Sequence, residues 1–216
     1  MIDQLHYISQ QKEGLSHLEA IKNALEAGCK WIQLRVKNQP ESVVRDIAVQ
    51  AKLLCDSFSA KLIINDFPEL AKEVSAFGLH LGLQDMPIPQ AREIVGPDMI
   101  IGGTANTCEH IQLRVQEGAD YVGLGPLRFT TTKEKLSPIL GMEGYRRILA
   151  QMAEAGISIP IIAIGAVELE DVAELLEAGL YGVAVSGAIT FAADRAQTVA
   201  EFYEQLGKDQ SAKQLV

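Results

Sequence analysis

Short apolar runs alternate with amphipathic stretches along the whole chain. The apolar runs show little alternation with polar residues, as expected for parallel strands covered by helices. The amphipathic stretches repeat apolar residues at helical spacing, as in Ile47, Ala51 and Leu54. We predict strands at Leu5–Ser9, Trp31–Arg35, Lys61–Asp66, Gly78–Gly82, Ile100–Thr104, Tyr121–Gly125, Pro160–Gly165 and Gly182–Gly187. We predict helices that include Leu15–Ala27, Glu41–Phe58, Thr107–Gln116, Met142–Ala155, Glu168–Glu177 and Asp194–Leu206.

This alternating order predicts a parallel sheet whose strands are connected by helices. About eight such units in 216 residues favour one closed (β/α)8 TIM barrel. An open doubly wound sheet is the alternative, although no G-x-G-x-x-G follows the first strand and no Walker motif occurs. Glycines that suit helix C-termini precede several strands, at Gly28, Gly118, Gly156 and Gly179. We assign residues 1–207 to the barrel and expect a frayed tail over residues 208–216.

Polar residues cluster where the predicted strands end, which in a (β/α)8 barrel is the side of the active site. Alternation along the second strand places Gln33, Arg35 and Lys37 on one face. If that face lines the barrel, the cost of burying two cations requires an anion nearby. Arginine and lysine are suited to phosphate groups. The alternative is a solvated strand end with ordinary salt bridges.

Two aspartates follow neighbouring strands. Asp66 follows Asn65 at the end of the third strand, and Asp85 comes shortly after the fourth. Mg²⁺ commonly takes one or two carboxylates together with phosphate oxygens, so the pair predicts a magnesium site. The alternative is that each aspartate caps the helix that follows it. His80, inside the fourth strand, is predicted to line the barrel with a local hydrogen bond.

Three further strand ends carry candidate ligands for an anion. The fifth strand ends at Thr104, whose hydroxyl could bind a ligand or satisfy a turn. A segment with little helical pattern follows the sixth strand as far as Gly141, and such long loops are often functional lids. That segment contains Thr130, Thr131, Thr132 and Lys133. The loops after the last two strands form a recurrent phosphate site in such barrels, and here they contain Gly165, Ser186 and Gly187.

Composition narrows the function classes. The net charge of −9 argues against a nucleic-acid surface, so cations for an anionic ligand must be gathered locally. The cysteines Cys29, Cys55 and Cys108 have no metal-ligand spacing and predict free thiols in a reducing cytoplasm. The N-terminus lacks the pattern of a signal peptide, and no apolar run is long enough to span a membrane.

Six motifs, in order, resemble those of thiamine phosphate synthases: QLRVK, IIND, HLGLQD, GLGPLRFTTTK, PIIAIG and GVAVSGAI. The resemblance runs from the first strand to about Ile189. It implies a cytoplasmic, Mg²⁺-dependent transferase that joins a pyrimidine diphosphate to a thiazole phosphate and releases pyrophosphate. Residues implied to bind the pyrimidine diphosphate are Gln33, Arg35, Lys37, Asn65, Thr104 and Lys133. Those implied for Mg²⁺ are Asp66 and Asp85, and those for the thiazole phosphate are Thr130, Thr131, Thr132, Gly165, Ser186 and Gly187.

Catalysis would depend on Arg35, Lys37 and Lys133 stabilising the departing pyrophosphate. Departures from the usual pattern of the family occur at Phe67, Leu83, Ala166 and Ser186-Gly187. Two alternatives remain: a TenI-like thiazole tautomerase and a non-catalytic barrel that binds a phosphate ligand. The cations and the two aspartates favour the synthase, because an isomerase has no diphosphate to neutralise. The expected partners are two small-molecule substrates, with neither nucleic acid nor membrane, and a homo-oligomer is compatible with the sequence.

Overall fold

The computed structural model describes residues 1–129 and 137–213, with the side chains of the last helix described as far as residue 207. Its strands are all parallel and form a closed barrel in chain order, with β8 paired to β1. The closed barrel is therefore confirmed, and the open sheet is wrong. The strands are β1 (Leu5–Ile8), β2 (Trp31–Leu34), β3 (Lys61–Asn65), β4 (Gly78–Leu81), β5 (Ile100–Ala105), β6 (Tyr121–Leu124), β7 (Ile161–Ala163) and β8 (Gly182–Val185).

Helices surround the barrel and cover its outer face. They are α1 (His17–Glu26), α2 (Glu41–Ser57), α3 (Pro68–Glu73), α4 (Ile88–Val95), α5 (Cys108–Gln116), α6 (Gly141–Glu154), α7 (Val172–Glu177), α8 (Gly187–Thr190) and α9 (Arg195–Lys213). The backbone of α9 is helical beyond residue 207, where we placed the end of the barrel domain. That boundary and the frayed tail stay predictions. No helix in the part of the chain that the structure describes is long and apolar enough to cross a bilayer.

Element boundaries differ from the prediction mainly at chain turns. The predicted strands β7 and β8 were too long, because β7 ends at Ala163 and Gly165 then turns with a φ of 93°. Helix α1 begins at His17 rather than Leu15, because the Ser16 side chain caps it in a reciprocal capping box with Glu19. The predicted helix C-terminal glycines are confirmed by positive φ angles between 65° and 106° at Gly28, Gly118, Gly156 and Gly179.

An aromatic cluster fills the barrel interior beneath the ends of the strands. The rings of His6 and Trp31 stack with centroids 4.5 Å apart, and Tyr121 meets both rings edge-on. Burial lowers the pKa of His6 to about 3, so its imidazole is neutral near pH 7. Ile63 and Ile162 complete this inner core. Packed side chains therefore fill the barrel interior, and a cavity can form only between this core and the carboxyl ends of the strands.

Glycines on the inner face make room for these rings. A β-carbon added at Gly102 would lie 2.1 Å from Cζ of Tyr121, the residue with which Gly102 pairs across β5 and β6. A β-carbon at Gly123 would lie 3.2 Å from Cε1 of His80. The absence of a side chain at these positions is thus a packing requirement of the aromatic cluster.

A buried arginine on α5 ties together the carboxyl ends of β4 and β5. Arg114 donates from Nη2 to the carbonyl oxygen of Gly82 at 2.9 Å and from Nε to that of Thr104 at 3.2 Å. Its Nη1 pairs with Glu117 at 2.6 Å, and the two side chains are only 4% and 15% exposed. Its stem passes Gly103, where an added β-carbon would lie 2.6 Å from Cδ of Arg114. Arg114 therefore holds two strand ends that carry candidate site residues.

We expect Gly102→Ala to lower the free energy of unfolding by about 2 kcal/mol, because the new methyl overlaps the Tyr121 ring. The double variant with Tyr121→Val should be less destabilised than the sum of its single changes. Urea denaturation measures both effects. The control is Gly207→Ala at an exposed position of α9, where nothing lies within 4 Å of the added carbon. Equal stability of the two alanine variants would contradict the packing account.

We expect Arg114→Met to lower the free energy of unfolding by about 3 kcal/mol, because it leaves the Glu117 carboxylate and two carbonyl oxygens unpaired in a buried place. Arg146→Met is the matched control, since the Arg146–Glu174 pair is about half exposed. That control should change stability by less than about 1 kcal/mol. Urea titration measures the stability of both variants. An equal loss of unfolding free energy in the two would show that Arg114 does not stabilise the ends of β4 and β5.

Candidate active site

One cavity of about 350 Å³ opens where the strands end. Its volume is in the range of small-molecule sites. Predicted site residues that line it are Gln33, Arg35, Lys37, Asn65, Asp66, Asp85, Thr104, Gly165, Ser186 and Gly187. Thr130, Thr131, Thr132 and Lys133 lie outside the described residues. The barrel thus brings distant parts of the chain to one cavity, and the roles of these residues in binding stay predictions.

The end of β2 presents the predicted polar face to the cavity. Gln33 is 4% exposed and donates from Nε2 to Oδ1 of Asn65 at 2.8 Å. The backbone N–H of Arg35 donates to Oγ of Ser9 at 3.1 Å, which joins the ends of β2 and β1. Arg35 and Lys37 line the same cavity. Lys37 is 44% exposed and pairs with Asp66, so a solvated strand end with ordinary salt bridges stays an alternative to anion binding.

The two aspartates converge in the cavity. Asp66 pairs with Nζ of Lys37, while burial and a hydrogen bond with Asp85 raise the pKa of Asp66 to about 6. The backbone N–H of Gly82 donates to Oδ2 of Asp85 at 2.6 Å. The capping alternative is wrong for both aspartates, because Phe67 and Pro87 occupy the N-cap positions of α3 and α4. Neither aspartate caps a helix, and both residues line the cavity.

An unusual backbone conformation at Asp66 sets the orientation of its side chain. Its φ of 72° is in the left-handed region, which aspartate tolerates better than most residues. Its N–H donates to the carbonyl oxygen of His80 at 3.0 Å, so the turn begins while β3 is still bonded to β4. This turn directs the chain out of the barrel, and the Asp66 side chain lines the cavity.

A hydrogen-bonded chain leads from the barrel interior to the cavity. Nδ1 of His80 lies 3.1 Å from the hydroxyl of Tyr121, and Nε2 lies 3.1 Å from Oγ1 of Thr104. Burial raises the pKa of Tyr121, so its hydroxyl keeps its proton. The prediction that His80 lines the barrel with a local hydrogen bond is confirmed. The imidazole orients the Thr104 hydroxyl, which lines the cavity.

The loops after β7 and β8 form the opposite corner of the cavity. A β-carbon at Gly165 would lie 2.4 Å from Cβ of Pro126, so packing against Pro126 requires this glycine. Ala166 has a φ of 55°, in the left-handed region that glycine adopts without strain. Ser186 donates from Oγ to the carbonyl oxygen of Ile8 at 2.6 Å. The Ser186 hydroxyl therefore uses its one donor in a hydrogen bond between the ends of β8 and β1.

The cavity residues that sequence reasoning missed include Ser9, Gln10 and Phe191. Ser9 and Gln10 are polar residues directly after β1, which is the same signal that identified the ends of the other strands. Phe191 follows α8, and nothing in its local sequence points to a site. Ser9 receives Arg35 N–H and contacts Nδ1 of His17 at 3.0 Å, so it connects the first two strand ends.

The cysteines have no part in this cavity. Cys29, Cys55 and Cys108 are free thiols, as predicted. Burial raises the pKa of Cys29 and of Cys55 to about 12, which keeps both thiols protonated and unreactive. In residues 1–129 and 137–213, no group of three or more His, Cys, Asp or Glu side chains comes together as a metal site. A cation bound by Asp66 and Asp85 would need its other ligands from substrate and water.

Known proteins resemble this chain over nearly its whole length. The family model for thiamine monophosphate synthase matches residues 5–189. A thiamine-phosphate synthase of Bacteroides fragilis is 53% identical over 88% of this chain and 93% of its own. One from Flavobacterium johnsoniae is 48% identical over 95% of this chain and 97% of its own.

Solved structures agree. A thiamine phosphate pyrophosphorylase from Pyrococcus furiosus superimposes with a TM-score of 0.81 at 30% identity, covering 95% of this chain and 96% of that protein. The family suggested by the six motifs is thereby confirmed. The chain belongs to the thiamine monophosphate synthase family.

Proposed function

We infer that this chain is a transferase that joins 4-amino-2-methyl-5-(diphosphooxymethyl)pyrimidine to a thiazole phosphate, giving thiamine phosphate and pyrophosphate. The observation that carries the inference is the shared cavity of Arg35, Lys37, Asp66 and Asp85. Cations and paired carboxylates in one place suit a diphosphate that leaves with a divalent cation. The names of the relatives support the same reaction.

The cations at the end of β2 would neutralise the diphosphate. Arg35 can donate two parallel hydrogen bonds to phosphate oxygens, and Lys37 adds a point charge. A protein with a net charge of −9 has no general attraction for such an anion, so these local cations are decisive. Lys133 is proposed to add a third cation, on the strength of the motif GLGPLRFTTTK.

The donor set beside these cations fits Mg²⁺. Asp66 and Asp85 are close enough to share a hydrogen bond, and a bound cation would favour the ionised form of both carboxyl groups. Both offer only oxygen ligands, as Mg²⁺ prefers, and two carboxylates leave room for water and diphosphate oxygens. When bound, Mg²⁺ would neutralise charge on the departing pyrophosphate. We therefore propose that Asp66 and Asp85 hold Mg²⁺.

The chain's own residues bind and align the two substrates. The bond between the pyrimidine methylene carbon and the diphosphate oxygen breaks, and the thiazole nitrogen bonds to that carbon. The ring nitrogen has no proton to lose, so no general base is needed. The Gln33–Asn65 pair and Thr104 lie on the side of the cations and would orient the pyrimidine diphosphate. Gly165, Ser186 and Gly187 would place the thiazole phosphate opposite, in line with the methylene carbon.

The decisive experiment combines both substrates with Mg²⁺ and measures thiamine phosphate and pyrophosphate. Equal amounts of the two products, formed only when both substrates are present, are expected. A TenI-like tautomerase would isomerise a thiazole phosphate and release no pyrophosphate. A non-catalytic barrel would bind thiazole phosphate in calorimetric titration without turnover. Either of these results would contradict the proposed synthase activity.

We expect Asp85→Asn to lower turnover by at least about 100-fold at saturating substrates, because a charged Mg²⁺ ligand is replaced by a neutral amide. Half-saturation should also require more Mg²⁺. Asp98→Asn is the control, since Asp98 is exposed and outside the cavity. Initial rates over a series of Mg²⁺ concentrations test both variants. A wild-type rate and Mg²⁺ requirement in Asp85→Asn would exclude the proposed metal site.

We expect Lys133→Ala to reduce pyrophosphate release by about 100-fold while urea unfolding stays unchanged, because one cation that stabilises the leaving group is lost. Lys72→Ala removes an exposed lysine outside the cavity and is the control. Single-turnover measurements of pyrophosphate compare the two. Near-normal release in Lys133→Ala would remove this residue from the proposed mechanism.

A further inference from the structure

We propose that Gln10 is a further substrate-binding residue, whose side-chain amide donates a hydrogen bond to the phosphate of the thiazole substrate. This inference rests on the proposed function, to which it adds a specificity-determining contact. Gln10 directly follows Ser9 at the end of β1 and lines the cavity. None of the six motifs that resemble the family includes it.

The Gln10 amide nitrogen is an unused donor. Its Nε2 atom is buried and has no hydrogen-bond partner among the residues that the structure describes. Buried polar groups are almost always paired, and leaving one unpaired costs about 1–3 kcal/mol. A donor kept in this condition on the wall of a cavity indicates a partner that arrives with the substrate.

The position of the amide identifies which part of the substrate it meets. A β-carbon added at Gly187 would lie 3.7 Å from Nε2 of Gln10 and 3.6 Å from Cδ2 of Phe191. The amide nitrogen is therefore adjacent to the loop after β8. The loops after the last two strands are the recurrent phosphate site of such barrels. A phosphate at Gly187 would come within reach of the Gln10 amide.

The neighbouring hydroxyls cannot supply the donor that Gln10 supplies. Ser186 donates its proton to the carbonyl oxygen of Ile8 at 2.6 Å. Thr190, one turn further along α8, is buried against Tyr7, with their hydroxyl oxygens 2.8 Å apart, and does not line the cavity. Of these three side chains around Gly187, Gln10 is the one whose donor remains for a ligand. Ser186 would then contribute through its backbone.

One cation lies beside this corner, and the acidic Glu168 from the loop after β7 also lines the cavity. Lys12 lies over the ring of Phe191, with Nζ 4.7 Å from the centroid, so a positive charge stands beside the corner. The same residue type at Gln11 is exposed and does not line the cavity. Hydrogen bonds to a charged acceptor are about twice as strong as neutral ones, so the loss of the Gln10 amide should be measurable.

The test compares Gln10→Ala with Gln11→Ala, its matched neighbour. In Gln10→Ala we expect the KM for thiazole phosphate to rise about tenfold, with kcat and the KM for the pyrimidine diphosphate changed less than about twofold. Gln11→Ala should match the wild type. Gln10→Glu, which keeps the shape of the side chain but adds a negative charge, should raise the KM at least about 100-fold. Urea unfolding identifies any variant that fails to fold. If Gln10→Ala does not fold, the KM of Gln10→Glu for thiazole phosphate tests the inference.

Calorimetric titration separates this inference from the proposed function. Thiazole phosphate should bind Gln10→Ala about tenfold more weakly than the wild type, whereas the dephosphorylated thiazole alcohol should bind both equally. Equal affinities for thiazole phosphate, or an equal loss for the alcohol, would overturn the inference even if the wild type is an active synthase. Gln10-dependent binding of thiazole phosphate by a wild type that makes no product would overturn the proposed function alone.

Discussion

Hydrogen bonding between the first and last strands closes the barrel, and the whole site depends on that closure. The N–H of Val183 donates to the carbonyl oxygen of Gln4 at 2.8 Å, and the register then pairs Tyr7 with Val185. The residues after β1 consequently lie beside those after β8, although most of the chain separates them. Oγ of Ser186 adds a bond to Ile8 across the same seam. The corner of the cavity at Gly187, where we propose the thiazole phosphate and which we call the phosphate corner, is thus built from both ends of the barrel sequence.

Closure also concentrates the few charges that chemistry requires. Lys37 follows β2, Asp66 follows β3 and Asp85 follows β4. Because consecutive parallel strands are neighbours in the barrel, these three residues lie side by side at its rim. Lys37 and Asp66 pair, while Asp66 and Asp85 share a hydrogen bond. In the proposed function, a divalent cation beside Asp66 and Asp85 would favour their ionised forms. An acidic protein would then offer a diphosphate one local site without attracting polyanions generally.

Much of the fold, and which residues at the ends of β2, β3 and β4 line the cavity, could be predicted from the sequence, because both follow from local geometry. Alternation along an extended strand is fixed by the backbone, so Gln33, Arg35 and Lys37 could be assigned to one face. The choice between capping and cation binding at Asp66 could not be made this way. It depends on a positive φ and on a hydrogen bond to His80, which belongs to another strand.

The other contributions arise only when distant segments meet. An arginine on a helix pattern such as that of α5 predicts a solvent-facing charge, yet Arg114 reaches inward because Gly103 leaves space for its stem. At the phosphate corner, residue type alone favours Ser186 as the donor over Gln10. Their hydrogen bonds in the structure favour Gln10 instead. Ser186 donates its hydroxyl hydrogen bond to the carbonyl oxygen of Ile8, whereas the Gln10 amide nitrogen has no partner among the described residues. The donor available to a ligand is therefore decided by what the fold has already bonded.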